Sequence, residues 1–185
     1  MAQAYARTMF SKAAKRLQEQ HGSRAAYDRM AAMGPKGDAL GDFEREFIGG
    51  RDSFYLGSVT EDGWPYIQHR GGPKGFLRVL DAKTLAFTDF SGNKQFITAG
   101  NLATNDKVAL FLMDYPDQAR LKIIGRARIV EEDKELAAKV RLPGYPAKVD
   151  WVMVIDVVGF DWNCSQHITR RWTAEEIQAA TASGG

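Results

Sequence analysis

The sequence lacks the features that mark secreted, membrane-bound or nucleic-acid-binding proteins. Its 185 residues contain one cysteine, Cys164, so no disulfide can form within the chain. The 25 basic and 23 acidic residues leave a net charge of only +2, which does not indicate nucleic acid as a partner. The best apolar run, residues 151–160, is too short to span a membrane, and the first residues lack the apolar core of a signal peptide. We therefore expect a cytoplasmic protein with neither nucleic acid nor membrane as a partner.

Several well-known site motifs are also missing. No G-x-G-x-x-G connects a strand to a helix, and there is no Walker A, G-x-S-x-G or H-E-x-x-H motif. The histidines, His21, His69 and His167, do not have the spacing of a metal site. Cys164 and His167 could form half of one, but no second half is visible, so we expect no metal. For Cys164 itself, a packed thiol is favoured over a catalytic one.

The first 41 residues are predicted to form a helical arm. Apolar residues at helical spacing predict one helix over 2–20, and a second begins after a Ser23 cap and runs to Met33. Basic residues on these helices could serve a membrane surface or nucleic acid, but interspersed acids favour a solvated face of a packing arm. Residues 42–181 are predicted to form the main domain, opened by a short helix with Asp42 as its cap, and residues 182–185 a loose tail.

From Ser53 onward the apolar pattern changes to a period of two, which indicates strands. A hairpin turn is predicted at residues 61–63, and the apolar run Val108–Met113 predicts a strand buried on both faces. A helix is predicted over Lys94–Leu102, and a capping box of Thr173 and Glu176 predicts the start of the last helix. Six or seven short strands joined mostly by hairpins indicate a mainly β protein with flanking helices, built as an antiparallel barrel or sandwich.

Two predicted strands end in polar residues beside glycines, and these form the candidate site. One ends in Gln68, His69 and Arg70, before the loop that begins with Gly71 and Gly72. The other ends in Thr88 and Asp89 and leads to Asn93 and Lys94. Cationic side chains supply charge-assisted donors, and glycine lets the backbone approach a ligand. This combination is typical of a site for a phosphate attached to a flat ring.

Each of these residues also has a simpler explanation. Arg70 could form only a salt bridge at a strand end, although its glycine neighbours favour a phosphate ligand. Lys94 is predicted at the first turn of a helix, where free N–H groups attract an anion. A lysine is not itself favoured there by the helix dipole, so a ligand anion would explain its position. Asn93 could cap that helix, contact the ligand, or do both.

Three segments together resemble the pyridoxamine 5′-phosphate oxidase-like flavoproteins, and most closely the bacterial branch described as predicted flavin-nucleotide-binding proteins. They are G-W-P-Y-I-Q-H-R-G-G, F-T-D-F-S-G-N-K-Q and D-W-N-C-S-Q-H-I. The resemblance covers roughly residues 6–177. It implies a split β-barrel, FMN as the cofactor, a homodimer with the flavin at the subunit interface, and an oxidoreductase acting on an unidentified small molecule. It assigns no catalytic acid or base.

The resemblance also implies further cofactor contacts. Gln68, Thr88 and Asp89 would lie along the phosphate chain and ring of FMN. Arg120 matches the basic start of a family strand that reaches toward the cofactor, whereas we expect Lys122 to face solvent. The late segment would lie beside the flavin of the neighbouring subunit, through Trp162, Asn163, Gln166 and His167. Two alternatives remain open: a flavin carrier or redox sensor without turnover, and a haem or deazaflavin binder on the same barrel.

Overall fold

The structure is a computed structural model that describes residues 1–162 and 164–182. Its strands are β1 (Ser53–Val59), β2 (Pro65–Gly71), β3 (Arg78–Val79), β4 (Thr84–Phe90), β5 (Lys107–Asp114), β6 (Ala119–Val130) and β7 (Val149–Trp162). Its helices are α1 (Gln3–Met9), α2 (Lys12–Gln20), α3 (Arg24–Met33), α4 (Asp42–Gly49), α5 (Ile97–Thr104), α6 (Lys134–Val140) and α7 (Ala174–Ala182). The strands form one antiparallel sheet in the order β2-β1-β5-β6-β7-β4-β3.

The sheet curls until strands far apart in its order meet. Five steps separate β2 from β4 in the sheet, which would hold them about 24 Å apart if the sheet were flat. Instead, Arg70 on β2 forms an ion pair with Asp89 on β4, and the Phe54 and Phe87 rings lie 5.3 Å apart. The seven-stranded sheet confirms the predicted mainly β fold, and its curvature is consistent with a split barrel.

The core fills the inside of the curled sheet. Phe54, Phe76 and Phe87 are each about 1% exposed and contact one another through their rings. Burying an aromatic or aliphatic side chain of this size stabilises a fold by roughly 1.5–3 kcal/mol. Helix α6 covers the outer face of β4 and β7, where Val140 packs with Val152 and Val154. The core therefore fixes which side chains of β2 and β4 point inward.

The helical arm differs from its prediction at one point. Residues 2–20 form two helices rather than one, because the chain leaves the helical conformation at Phe10 and Ser11 caps the second helix by accepting a hydrogen bond from the Ala14 amide. Ser23 does not cap α3 through its side chain. Gly41, not Asp42, is the N-cap of α4, and Glu44 accepts a hydrogen bond from its amide. The division of the chain at residue 41 stays a prediction.

The prediction for β5 was wrong about burial. Its residues alternate between buried and more exposed positions, so one face packs in the core and the other does not. The run looked continuous because the outer positions also carry apolar side chains, among them Phe111 and Met113. The predicted hairpin turn is confirmed, with Gly63 at a positive φ of 87°. The capping box of Thr173 and Glu176 is also confirmed.

Two further observations bear on the termini and on membranes. Helix α7 runs to Ala182, and residues 183–185 of the predicted tail lie outside the described residues. Among the residues that the structure describes, no helix is both long and apolar enough to cross a membrane.

Candidate functional site

The ends of β2 and β4 meet in one pocket, which we call the strand-end pocket. Five predicted site residues line it: Gln68, Arg70, Asp89, Asn93 and Lys94. Gln68 and Arg70 pair with Leu56 and Phe54, which are buried, so their side chains lie on the core side of the edge strand β2. The curl of the sheet then brings them to β4 and the loop after it. The sequence analysis did not foresee the other lining residues, among them Phe96, Asp150 and Trp151.

An ion pair between Arg70 and Asp89 closes one side of this pocket. The two side chains are only 13% and 10% exposed, and the Trp151 indole N–H donates to the second Asp89 oxygen at 2.9 Å. Burial raises the pKa of the Asp89 carboxyl above its ordinary value, whereas Arg70 and then Trp151 oppose that rise. The Arg70 Nε is buried without a hydrogen-bond partner. Asp89 therefore partly neutralises the charge of Arg70, while the Nε–H of Arg70 remains an unused hydrogen-bond donor.

The loop after β4 holds Lys94 at the rim. Helix α5 begins at Ile97, so Lys94 lies outside it, and the predicted helix start at Lys94 was wrong. Lys94 and Phe96 both have positive φ, 58° and 51°, which turns the chain before the helix. Lys94 is exposed and forms no ion pair with any residue that the structure describes. The helix-terminus argument for an anion at Lys94 therefore does not apply, although its charge remains available.

Two amide side chains near the pocket already have partners. Asn93 accepts a hydrogen bond from the Gln95 amide at 3.2 Å and does not cap α5, whose N-cap is Phe96. The Thr98 hydroxyl donates to the Gln68 carbonyl oxygen at 2.8 Å, which ties β2 to α5. Phe96 packs against Trp151 with ring centroids 5.5 Å apart. The pocket thus has aromatic as well as charged walls.

Thr88 lies on the opposite face of β4 from Asp89. Its hydroxyl donates to the Val140 carbonyl at 3.1 Å and is buried under α6. There it borders a second pocket of about 540 Å³ between the sheet and the segment that follows α6, which includes Arg141 and Tyr145. No motif in the sequence pointed to this pocket, because its walls come from separate stretches of the chain.

The other predicted contacts from β2 and its glycine loop, His69, Gly71 and Gly72, do not line the strand-end pocket. His69 is exposed on the outer face of β2, with its ring 5.7 Å from that of Tyr55. A Cβ on Gly72 would lie 2.8 Å from the Phe76 ring, and one on Gly71 would lie 3.0 Å from the His69 ring. Close packing against the buried Phe76 ring accounts for Gly72 without a ligand, whereas the exposed His69 ring is free to move aside from a Cβ at Gly71.

Those predicted C-terminal contacts that the structure describes do not line the strand-end pocket of their own chain. Trp162 packs against the Phe43 and Phe47 rings, and its indole N–H donates to Glu44 at 2.9 Å. Gln166 and His167 are exposed, and His167 adopts a positive φ of 65°. Asn163 lies outside the described residues, and Cys164 is exposed rather than packed, contrary to expectation.

Basic residues on the outer face of β6 form a separate group. The Lys122 ammonium lies 4.6 Å from the centre of the Tyr5 ring and 3.9 Å from an Asp161 oxygen, and burial lowers its pKa. The expectation that Lys122 simply faces solvent was therefore wrong.

The Nε atoms of Arg120 on β6 and Arg78 on β3 are buried without hydrogen-bond partners. The sequence analysis did not consider Arg78, although an arginine between Leu77 and Val79 in an apolar segment is a visible signal.

An apolar groove of about 480 Å³ crosses the outer face of β1, β2, β5 and β6. Its walls include Met9, Tyr55, Ile67 and Phe111, of which Ile67 is 69% exposed. Across the residues that the structure describes, we find no group of three or more histidine, cysteine or acidic side chains placed to hold a metal ion.

Comparison with solved structures supports this fold. A candidate pyridoxamine 5′-phosphate oxidase from Lactobacillus delbrueckii is 21% identical with a TM-score of 0.51, and the match covers 67% of this chain and 94% of that one. A protein of the pyridoxinephosphate oxidase family from Clostridium acetobutylicum, related to general stress protein 26, is 16% identical with a TM-score of 0.51 and coverages of 71% and 92%. HupZ from Group A Streptococcus is 19% identical with a TM-score of 0.50 and coverages of 72% and 99%.

More distant matches include an FMN-binding protein from Syntrophomonas wolfei, an F420 reductase and the haem storage protein HutZ from Vibrio cholerae, with TM-scores of 0.49, 0.46 and 0.44. They are too distant to indicate the ligand of this chain.

No curated protein sequence matches this chain. The profile of the family described as pyridoxamine 5′-phosphate oxidase matches residues 40–150, which is more than half of the chain. The protein therefore belongs to the pyridoxamine 5′-phosphate oxidase family.

Proposed function

We propose that this protein is a homodimeric flavoprotein that binds FMN with its phosphate in the strand-end pocket and acts as an oxidoreductase on a small molecule. The observation that carries the proposal is the convergence of Arg70 and Lys94, which come from separate segments of the chain, in one pocket. We expect the two cations to share one anion, because both line the pocket, Arg70 keeps an unused buried donor, and Lys94 has no acidic partner among the described residues.

The residues of the strand-end pocket could hold an FMN phosphate, but two nearby carboxylates would weaken its binding. Arg70 would donate hydrogen bonds to the phosphate, and Lys94 would close over it from the rim. Asp89 and Asp150 also line the pocket, so two carboxylates face the two cations. A phosphate must therefore compete with Asp89 for Arg70, which predicts weaker binding than two free cations would give.

The rings of Phe96 and Trp151 offer an apolar wall beside the phosphate position. Such a wall suits a flat ring and excludes water from one side of it. When bound, FMN would supply the electron-transfer chemistry. The protein would hold the phosphate, orient the ring and set the charge around it.

A second copy of the chain is the occupant that we propose for the apolar groove. The groove has an almost wholly apolar wall, and it joins four strands into one broad face. Gln166, His167 and Arg120 do not line the strand-end pocket of their own chain. In the proposed dimer, these residues would reach the flavin from the second copy of the chain.

Purified protein tests the proposal directly. It should be yellow or take up FMN, release FMN on denaturation as identified by mass spectrometry, and bind FMN more tightly than riboflavin because the phosphate is the anchor. Equal affinity for the two flavins would refute the phosphate site. A haem or deazaflavin spectrum would identify a different ligand, and bound FMN that no reductant can turn over would favour a carrier or sensor.

A further inference from the structure

We propose that Asp89 makes anion binding in the strand-end pocket proton-linked: a ligand phosphate takes Arg70 from Asp89, and the released carboxylate takes up a proton from solvent. The inference rests on the proposed function, because it requires a phosphate at Arg70. The affinity for FMN then depends on the protonation of the Asp89 carboxyl group.

The geometry leaves Asp89 few alternatives. One of its oxygens contacts Arg70 and the other accepts the Trp151 indole hydrogen bond at 2.9 Å. With 10% of the side chain exposed, water has little access to replace a lost partner. If the phosphate engages Arg70, Asp89 keeps one neutral donor and gains a dianion as its neighbour. A carboxyl group in such surroundings favours its protonated form.

The other groups around Asp89 do not substitute for Arg70. Asp150, on the neighbouring strand β7, accepts a hydrogen bond from the Ser91 hydroxyl and adds negative charge. Lys94, on the loop, would be engaged by the phosphate. Gln68, on β2, is neutral and held by Thr98. Burial already raises the pKa of Asp89, and Arg70 is the strongest influence that lowers it, so the loss of Arg70 shifts the pKa further upward.

Calorimetric titration with FMN in buffers of different ionisation enthalpy measures the protons taken up. At about pH 7.5 the phosphate ester is mostly dianionic, because its second pKa is about 6. We expect the wild-type protein to take up more protons per FMN than Asp89→Asn, with a difference approaching one. The asparagine oxygen can still accept from Trp151, and without a competing carboxylate Asp89→Asn should bind FMN roughly 10–100-fold more tightly at this pH.

Asp114→Asn provides a matched control. Asp114 is similarly buried, at 11% exposure, and its carboxylate lies 2.6 Å from Arg51, outside the strand-end pocket. The Asp114→Asn protein should take up as many protons per FMN as the wild type does. Equal proton uptake by the wild type and Asp89→Asn would overturn the inference and leave FMN binding intact. Failure of all three proteins to bind FMN would overturn the proposed function and the inference with it.

Discussion

Replacing Arg70 with alanine separates two roles that the structure gives to one side chain. Arg70 is the counterion of the buried Asp89, and in our proposal it is also the phosphate anchor. The substitution should therefore lower both the free energy of unfolding and the affinity for FMN. The two losses have different physical origins, so a second substitution can separate them.

The structure sets the size of each loss. Removing one partner of a fully buried ion pair costs about 3–5 kcal/mol, because an uncompensated charge stays in the interior. Arg70 and Asp89 retain 13% and 10% of their side-chain exposure, so we expect roughly 2–4 kcal/mol of lost stability. The lost charge-assisted hydrogen bonds to the phosphate should weaken FMN binding by about 1.5–3 kcal/mol.

The stability loss should depend on pH. The pKa of Asp89 in the folded protein lies above its unfolded value, so between the two values the native state binds more protons than the unfolded state. Stability contributed by this group therefore falls as pH rises through that window. Without Arg70 the folded pKa rises further and the window extends upward, so Arg70→Ala should recover stability on acidification from neutral pH.

Adding Asp89→Asn to Arg70→Ala removes the unpaired charge but not the missing phosphate donor. The double variant should regain most of the lost stability, measured by urea unfolding, while its FMN affinity, measured by flavin fluorescence, stays below that of Asp89→Asn alone. An Arg70→Ala protein within about 0.5 kcal/mol of wild-type stability would refute the buried-pair reasoning. An unchanged dissociation constant for FMN would remove Arg70 from the site.

Three further predictions concern the rest of the chain. Ile67→Asp should convert the proposed dimer to a monomer, as measured by light scattering, because it places a carboxylate on the exposed wall of the apolar groove; a wild type that is monomeric with flavin bound would refute the dimer. Gly72→Ala should lower stability by about 1–3 kcal/mol, since its Cβ would lie 2.8 Å from the Phe76 ring, and should leave the preference for FMN over riboflavin unchanged. The FMN-loaded protein should oxidise pyridoxamine 5′-phosphate with a kcat/KM below about 10⁴ M⁻¹s⁻¹, measured by pyridoxal 5′-phosphate formation under oxygen, because the described lining of the strand-end pocket holds no cation besides Arg70 and Lys94 for a substrate phosphate.

The strands could be predicted because their pattern is local. Alternation in β1 and β6 and the turn at Gly63 follow from side chains that point to opposite faces. The error at β5 has a physical reason as well. Apolar residues occupy both of its faces, and the sequence does not distinguish an inner face packed in the core from an outer face left open as a groove.

The helix ends were harder to predict because they depend on distant contacts. The pattern over residues 2–20 is continuous, yet the helix breaks at Phe10, whose ring packs on Tyr27 of α3. Similarly, α5 begins at Ile97 because the preceding turn folds Phe96 onto Trp151. In each case an aromatic contact between separate elements outweighs the local preference.

The candidate site shows what a motif can and cannot predict. The residues around Arg70 and Lys94 indicated an anion site, and the structure brings these two residues into one pocket. The motif also contained Asp89, but as one more polar residue near a strand end. Only the curl of the sheet makes it the partner of Arg70 from five strand positions away. Whether an arginine is free to bind a phosphate is decided by its neighbours across the fold. A sequence motif alone therefore overstates the positive charge that this pocket offers to a ligand.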